Sequence, residues 1–100
     1  MALQITECRG VFSVNGNLNG GNANILDRHM SRFINSEDQV ILNLERVAHL
    51  DEAAAYTLQQ LFKKAVQMNA IFSIIGLQNK NILPILDRTK TSYILSHDRA

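Results

Sequence analysis

The chain has 100 residues, 46% hydrophobic and 19% charged, with a single cysteine and a formal net charge of +1. That length suits one domain, 1–100, with one core. The small, scattered charge (Lys63–Lys64 is the only adjacent basic pair) argues against nucleic acid or an anionic membrane as partner, Cys8 alone cannot form an internal disulfide and so predicts a reducing, cytoplasmic setting, and no apolar run approaches the ~20 residues of a membrane span.

The N-terminus carries Glu7 and Arg9 with no signal-peptide core before them, and the initial Met1 and polar SHDRA end suggest a complete small protein. Residues 3–14, LQITECRGVFSV, read as two short strands around an Arg9–Gly10 turn, a two-residue hairpin. The segment NGNLNGGNAN, 15–24, is rich in asparagine and glycine and reads as a loop, with Asn19 or Asn22 capping the helix that follows. In that helix Ala23, Leu26, Met30, Phe33 and Ile34 recur at three- and four-residue spacing and predict a buried stripe, leaving Asp27, Arg28, Ser31 and Arg32 to water.

VILNL, 40–44, is a nearly continuous apolar run and predicts a strand covered on both faces. After Glu45–Arg46 and VAHLD, a helix over about 52–68 buries Ala55, Leu58, Leu61, Phe62 and Ala65. Its outer face is Gln59, Gln60, Lys63, Lys64 and Gln67. Asp51 is placed as its N-cap and Glu52 at its positive end, with alanines as strong helix formers behind. IFSIIG, 71–76, predicts a second buried strand ending at Gly76, and ILPILDR, 82–88, a short helix with Pro84 in its first turn. TSYIL, 91–95, predicts a closing edge strand. The order ββαβαβαβ is that of an α/β domain, a mixed sheet with helices packed against it.

Catalytic patterns are missing from the sequence. No serine sits in a G-x-S-x-G elbow, and Cys8 has no histidine near it in sequence, so it is read as buried or incidental. His29, His49 and His97 lie far apart. His49-x-Asp51 beside Glu52 is at most half a metal site, where structural zinc asks for four ligands and catalytic zinc for three. No metal and no cofactor is expected. The NGGN loop matches neither G-x-x-x-x-G-K-[ST] nor G-x-G-x-x-G. It reads as flexible turn chemistry or as a contact loop for a partner, with a backbone cradle for phosphate the alternative it has to displace. In HLDEAAAYTLQQLF the small side chains of Ala53, Ala54 and Ala55 leave the helix start smooth enough for another backbone or a partner surface to come close.

From Leu3 to about Leu95 the chain resembles a STAS domain, the fold of bacterial anti-sigma factor antagonists. Three stretches carry the resemblance: VNGNLNGGNANILDRHMSRFI with Gly16 at the usual glycine, VILNLERVAHLDEAAAYTLQQLFKKA, and IFSIIGLQNKNILPILDRTK with Gly76. In the antagonists an Asp-Ser-Ser-Gly turn is phosphorylated on serine by a kinase that is also the anti-sigma factor. Asp51 matches the Asp, Glu52 the first Ser, Ala53 the phosphorylated Ser and Ala54 the Gly. Only Asp51 is kept, and Ala53 has no hydroxyl to phosphorylate. Thr57, one turn later, does not match the site but is an alternative acceptor.

The resemblance implies a non-enzymatic protein-interaction module of bacterial signalling and transcription regulation. The contact residues it points to are Asn19, Gly20, Asp51, Glu52, Ala53, Ala54, Gln60 and Lys63. The partner it implies is an ATP-binding, kinase-like anti-sigma protein. The alternative is a small cytoplasmic subunit of an ABC-type transport system, bound to a transporter ATPase. The edge strand expected at 91–95 also offers a route to a homodimer.

Overall fold

A computed structural model describes residues 3–36 and 39–96. Strands β1 (Gln4–Cys8) and β2 (Val11–Leu18) form the antiparallel hairpin expected around Arg9–Gly10. Both turn residues have positive φ, 53° and 83°, the pair of left-handed conformations that matches a hairpin's twist. The Glu7 carboxylate accepts the Gly10 N–H at 3.0 Å and braces the turn.

β2 runs on through residues 15–18, the first four of the ten residues whose composition predicts a loop. The reason is pairing on both edges. Asn15 lies opposite Gln4 of β1, while Gly16, Asn17 and Leu18 pair in parallel with β4 (Val47–Leu50). A register shift falls between Gly16 and Asn17, and Gly16 supplies a φ of 96° there. Ladder bonds from distant residues override local turn propensity.

Helix α1 (Ala23–Ser36) buries Ala23, Leu26, Met30 and Ile34, with Phe33 half-buried, as the spacing predicts. β3 (Gln39–Asn43) then pairs in parallel with the first half of β2, and β4 with its second half. The Leu44–Arg46 break between them is pinned by Asn79, whose buried side-chain amide donates to the carbonyls of Leu44 (2.8 Å) and Val47 (2.9 Å). Helix α2 (Glu52–Gln67), strand β5 (Ile71–Ile75), parallel to β3, and helix α3 (Leu83–Arg88), with Pro84 in its first turn, complete the frame. The mixed sheet runs β1-β2-β3-β5, with β4 beside β2. This is the α/β architecture expected from the sequence.

Two further details differ from the sequence reading. TSYIL is not an edge strand. Ser92–Ile94 form a 3-10 turn, and only Leu95 reaches the sheet, in a single bridge to Ile74. Thr91 is fully buried, with its hydroxyl 2.8 Å from that of Thr89, and this turns the chain inward before it can extend along β5. The homodimer route through an edge strand at 91–95 therefore has no strand to use.

The second difference is that VILNL and IFSIIG are covered on one face only. Val40, Leu42 and Ile74 are buried, whereas Ile41, Ser73 and Ile75 are half-buried and Ile71 is exposed. Successive crossovers step in one direction across the sheet, and right-handed crossovers then place every helix on the same side. The core fills that side, with Phe12, Val14, Leu42 and Ile74 facing Leu26, Met30, Leu58, Leu61 and Leu86.

Candidate functional site

At the end of β4, Asp51 leaves the strand in an extended conformation and caps α2: Oδ1 accepts the Ala54 N–H at 2.8 Å. This is the N-cap that the sequence predicts. Its second oxygen does what no local pattern indicates. Oδ2 accepts the N–H of Gly20 at 3.0 Å, from the loop between β2 and α1. One carboxylate therefore ties the loop to the helix start.

The loop is closed on itself as well. Asn19 Oδ1 accepts from the N–H groups of Gly21 (2.8 Å) and Asn22 (3.1 Å), and Asn22 Oδ1 accepts from the Asn19 N–H at 2.9 Å. This is a capping box made with two amides, in which each asparagine satisfies the other's end of the turn. The Asn22 amide also donates to the Asn17 carbonyl at 2.9 Å. Both candidate caps are thus used together. Every backbone N–H from Asn19 to Asn22 is engaged within the protein, so the phosphate cradle has no free donor in this conformation.

The three alanines divide. Ala54 and Ala55 are fully buried, and Ala53 is exposed. Ala54, expected among the contact residues, points its methyl into the core and offers nothing outward. A β-carbon placed on Gly20 would lie 3.0 Å from the Ala53 Cβ. The small side chains at this helix start admit another backbone, and that backbone is the protein's own loop. Asn19, Gly20, Asp51, Glu52 and Ala53 therefore form one continuous patch.

Gln60 and Lys63 continue it. Ala53, Tyr56, Gln60 and Lys63 follow three- and four-residue steps along the exposed face of α2. Tyr56 is 49% exposed and was missed by the sequence reading, although its spacing from Ala53 and Gln60 places it on this ridge. Glu52 forms an exposed ion pair with Arg88 of α3 at 3.5 Å. Lys64 leaves the ridge and turns to α1, 3.7 Å from Asp27 and 3.1 Å from the Ser31 hydroxyl. The half-buried Thr57 hydroxyl donates back to the Ala53 carbonyl at 3.2 Å.

Among the described residues no three His, Cys, Asp or Glu side chains come together to hold a metal. His49 is exposed opposite Asn17, His29 packs beside Phe12 and Phe33, and His97 lies outside the described residues. Cys8, read as buried or incidental, is exposed on β1, which overturns only the first of these. The patch combines small, polar and aromatic groups on a backbone braced by the two hydrogen bonds to Asp51.

The STAS domain model matches residues 1–94. The chain belongs to the STAS domain family. Among solved structures, this STAS domain is similar to the anti-sigma factor antagonist SpoIIAA in its unphosphorylated form, with a TM-score of 0.69 and 12% identity over 95% of this chain and 86% of that one. It is similar to a putative anti-sigma factor antagonist from Thermotoga maritima, with a TM-score of 0.70 and 18% identity over 94% of this chain and 83% of that one. It also resembles the STAS domain of a SulP transporter from Vibrio cholerae, with a TM-score of 0.53 and 19% identity over 91% and 72% of the two chains. At these identities the likeness is one of fold. No curated protein sequence matches the chain. No helix among the described residues is long and apolar enough to cross a membrane.

Proposed function

We propose that this STAS domain is a non-enzymatic, cytoplasmic protein-interaction module of bacterial signalling, akin to an anti-sigma factor antagonist and acting in transcription regulation. Its contact surface comprises Asn19 and Gly20, Asp51 to Ala53, and the α2 ridge through Tyr56, Gln60 and Lys63. The observation that carries this reading is the Asp51 clamp, which holds the loop and the exposed Ala53 as one rigid surface. Preformed surfaces bind with less ordering cost than mobile ones.

Ala53 stands where the family resemblance puts the phosphorylated serine. A phosphate there would add roughly −1.5 to −2 charges and disrupt an interface by repulsion and desolvation. Alanine removes that switch, so the surface stays competent for binding. The partner is an ATP-binding, kinase-like anti-sigma protein. The second reading is a small subunit bound to a transporter ATPase, and the likeness to a transporter's STAS domain supports it.

Affinity capture from native lysate, with wild type beside Ala53→Asp, separates these readings. An ATP-binding anti-sigma protein held by wild type and lost with the variant is the expected result. Capture of a transporter ATPase replaces sigma control with transport. Equal capture by both proteins moves the interface elsewhere. Nucleotide hydrolysis abolished by Asp51→Ala would overturn the non-enzymatic assignment.

A further inference from the structure

Among the described residues, the face of the sheet opposite the helices is open and carries no Asp, Glu, Lys or Arg. It is built by alternate residues of four strands, 4–8 of β1, 11–17 of β2, 39–43 of β3 and 71–75 of β5, with the exposed His49 of β4 beside Asn17 at one end. Not one is Asp, Glu, Lys or Arg, although charged residues make up 19% of the chain. Glu7 lies on the other face, opposite Phe12, and Arg9, Glu45 and Arg46 sit in turns at the margin. An antiparallel or mixed sheet with one face in water ordinarily shows polar and charged residues there. Loss of charge from the centre of a patch is a mark of interfaces.

The register arranges this face in rows. Cys8, Val11, Ile41 and Ser73 lie side by side across four strands, flanked by Ile71, which is 61% exposed. The next row is Thr6, Ser13 and Asn43, ending at Ile75. An uncharged surface offers a charged partner or an anionic headgroup nothing to pair with. Sinking the hydroxyl and amide row into acyl chains would leave several polar groups without partners, which is unfavourable. A second copy of the same face answers both rows. Apolar meets apolar, and the Thr6 and Ser13 hydroxyls donate and accept while the Asn43 amide, whose Oδ1 already accepts the Glu45 N–H at 2.9 Å, keeps its NH2 to donate, so the polar row can pair with itself about a two-fold axis.

We propose that this face is the surface through which two copies of the domain associate, sheet against sheet at about 10 Å. Strands at ~4.8 Å spacing with ~3.3 Å rise make a face of roughly 20 by 20 Å. Two such faces amount to roughly 800 Å² in projection, below the ~1,200–2,000 Å² of standard specific complexes and in the range of weak, transient contacts. The dimer is therefore reversible and appears at micromolar or higher concentration. It leaves the α2 ridge free and does not depend on the reading of that ridge.

Sedimentation velocity on the full chain, from roughly 1 μM to 1 mM, tests the proposal. The expected result is a concentration-dependent rise from one chain's mass toward two. Ile41→Glu, in the centre, should weaken association at least ~tenfold, since it buries like charges against each other. Thr6→Lys, on an exposed edge-strand site that loads no packing, should do the same while leaving the melting temperature unchanged. Tyr56→Ala on the α2 ridge should have no effect. The single cysteine is a built-in reporter: Cys8 alkylation should slow as the dimer forms. One chain's mass throughout would overturn the proposal. So would a dimer insensitive to Ile41→Glu and Thr6→Lys, or protection of Cys8 by lipid vesicles at concentrations where the chain is monomeric.

Discussion

Asp51 and Gly20 are 31 residues apart in sequence, and the Asp51 carboxylate accepts the Gly20 N–H at 3.0 Å. The other oxygen of that carboxylate caps α2 through Ala54. A helix cap by itself is a local device. Here it also ties down a loop on the neighbouring strand-to-helix connection, so one carboxylate joins two halves of a surface.

Asp51→Ala should therefore do two things at once. Stability should fall by about 2 kcal/mol, from a lost cap and a second backbone donor left without its partner. Amide hydrogen exchange should quicken together at Gly20 and Ala54. Denaturant unfolding and exchange by NMR measure the two effects. A change at Ala54 with Gly20 unaltered would mean that the loop is held by its asparagines alone.

Gly20 and Ala53 should be energetically coupled. A methyl on Gly20 would sit 3.0 Å from the Ala53 Cβ, so Gly20→Ala forces the loop to give way and should cost about 1 kcal/mol. Removing the opposing methyl with Ala53→Gly should recover part of that loss, even though glycine at a helix start is itself unfavourable. A double-mutant cycle by urea denaturation should give an interaction energy of at least ~0.5 kcal/mol. Simple additivity would show that the two backbones are not in contact.

Asn79 offers a sharper contrast between isosteres. Its amide nitrogen donates to two carbonyls at the β3–β4 break, and its Oδ1 accepts the Asn81 N–H at 2.9 Å. Asn79→Ala should lose about 2–4 kcal/mol, since both carbonyls and a backbone N–H lose a buried partner. Asn79→Asp keeps the shape but turns an acceptor toward two acceptors, and should be at least as damaging at neutral pH. Thermal melts of both variants decide it. A mild Asp substitution would show that the break does not depend on donation from residue 79.

Gly76 is required by space. A β-carbon there would lie 2.8 Å from Ile82 Cδ1 and 3.3 Å from Leu95 Cδ2. Gly76→Ala should destabilise by about 1–3 kcal/mol through overpacking. Ile82→Val removes the atom that is struck. The double variant should therefore be more stable than the sum of the two single losses predicts, as read from chemical unfolding.

Much of this molecule is set by short-range pattern. The 3.6-residue periodicity of α1 and α2 selects their buried stripes, Arg9–Gly10 forms the hairpin turn, Pro84 falls in a first helical turn, and Asp51 followed by alanines starts α2. Each of these depends on residues a few positions apart, whose geometry is the same in any fold. Tertiary structure decided the rest. Asparagine and glycine at 15–18 became strand because β1 and β4 supplied bonds on both edges. TSYIL stopped short of a strand because the buried Thr91 turned it inward. VILNL and IFSIIG kept an open face because every crossover steps the same way, and apolar runs do not reveal which side a helix will cover. The clamp from Asp51 to Gly20 belongs to the same class. A carboxylate has two oxygens, and the partner of the second is chosen by which backbone the folded chain brings within 3 Å of it.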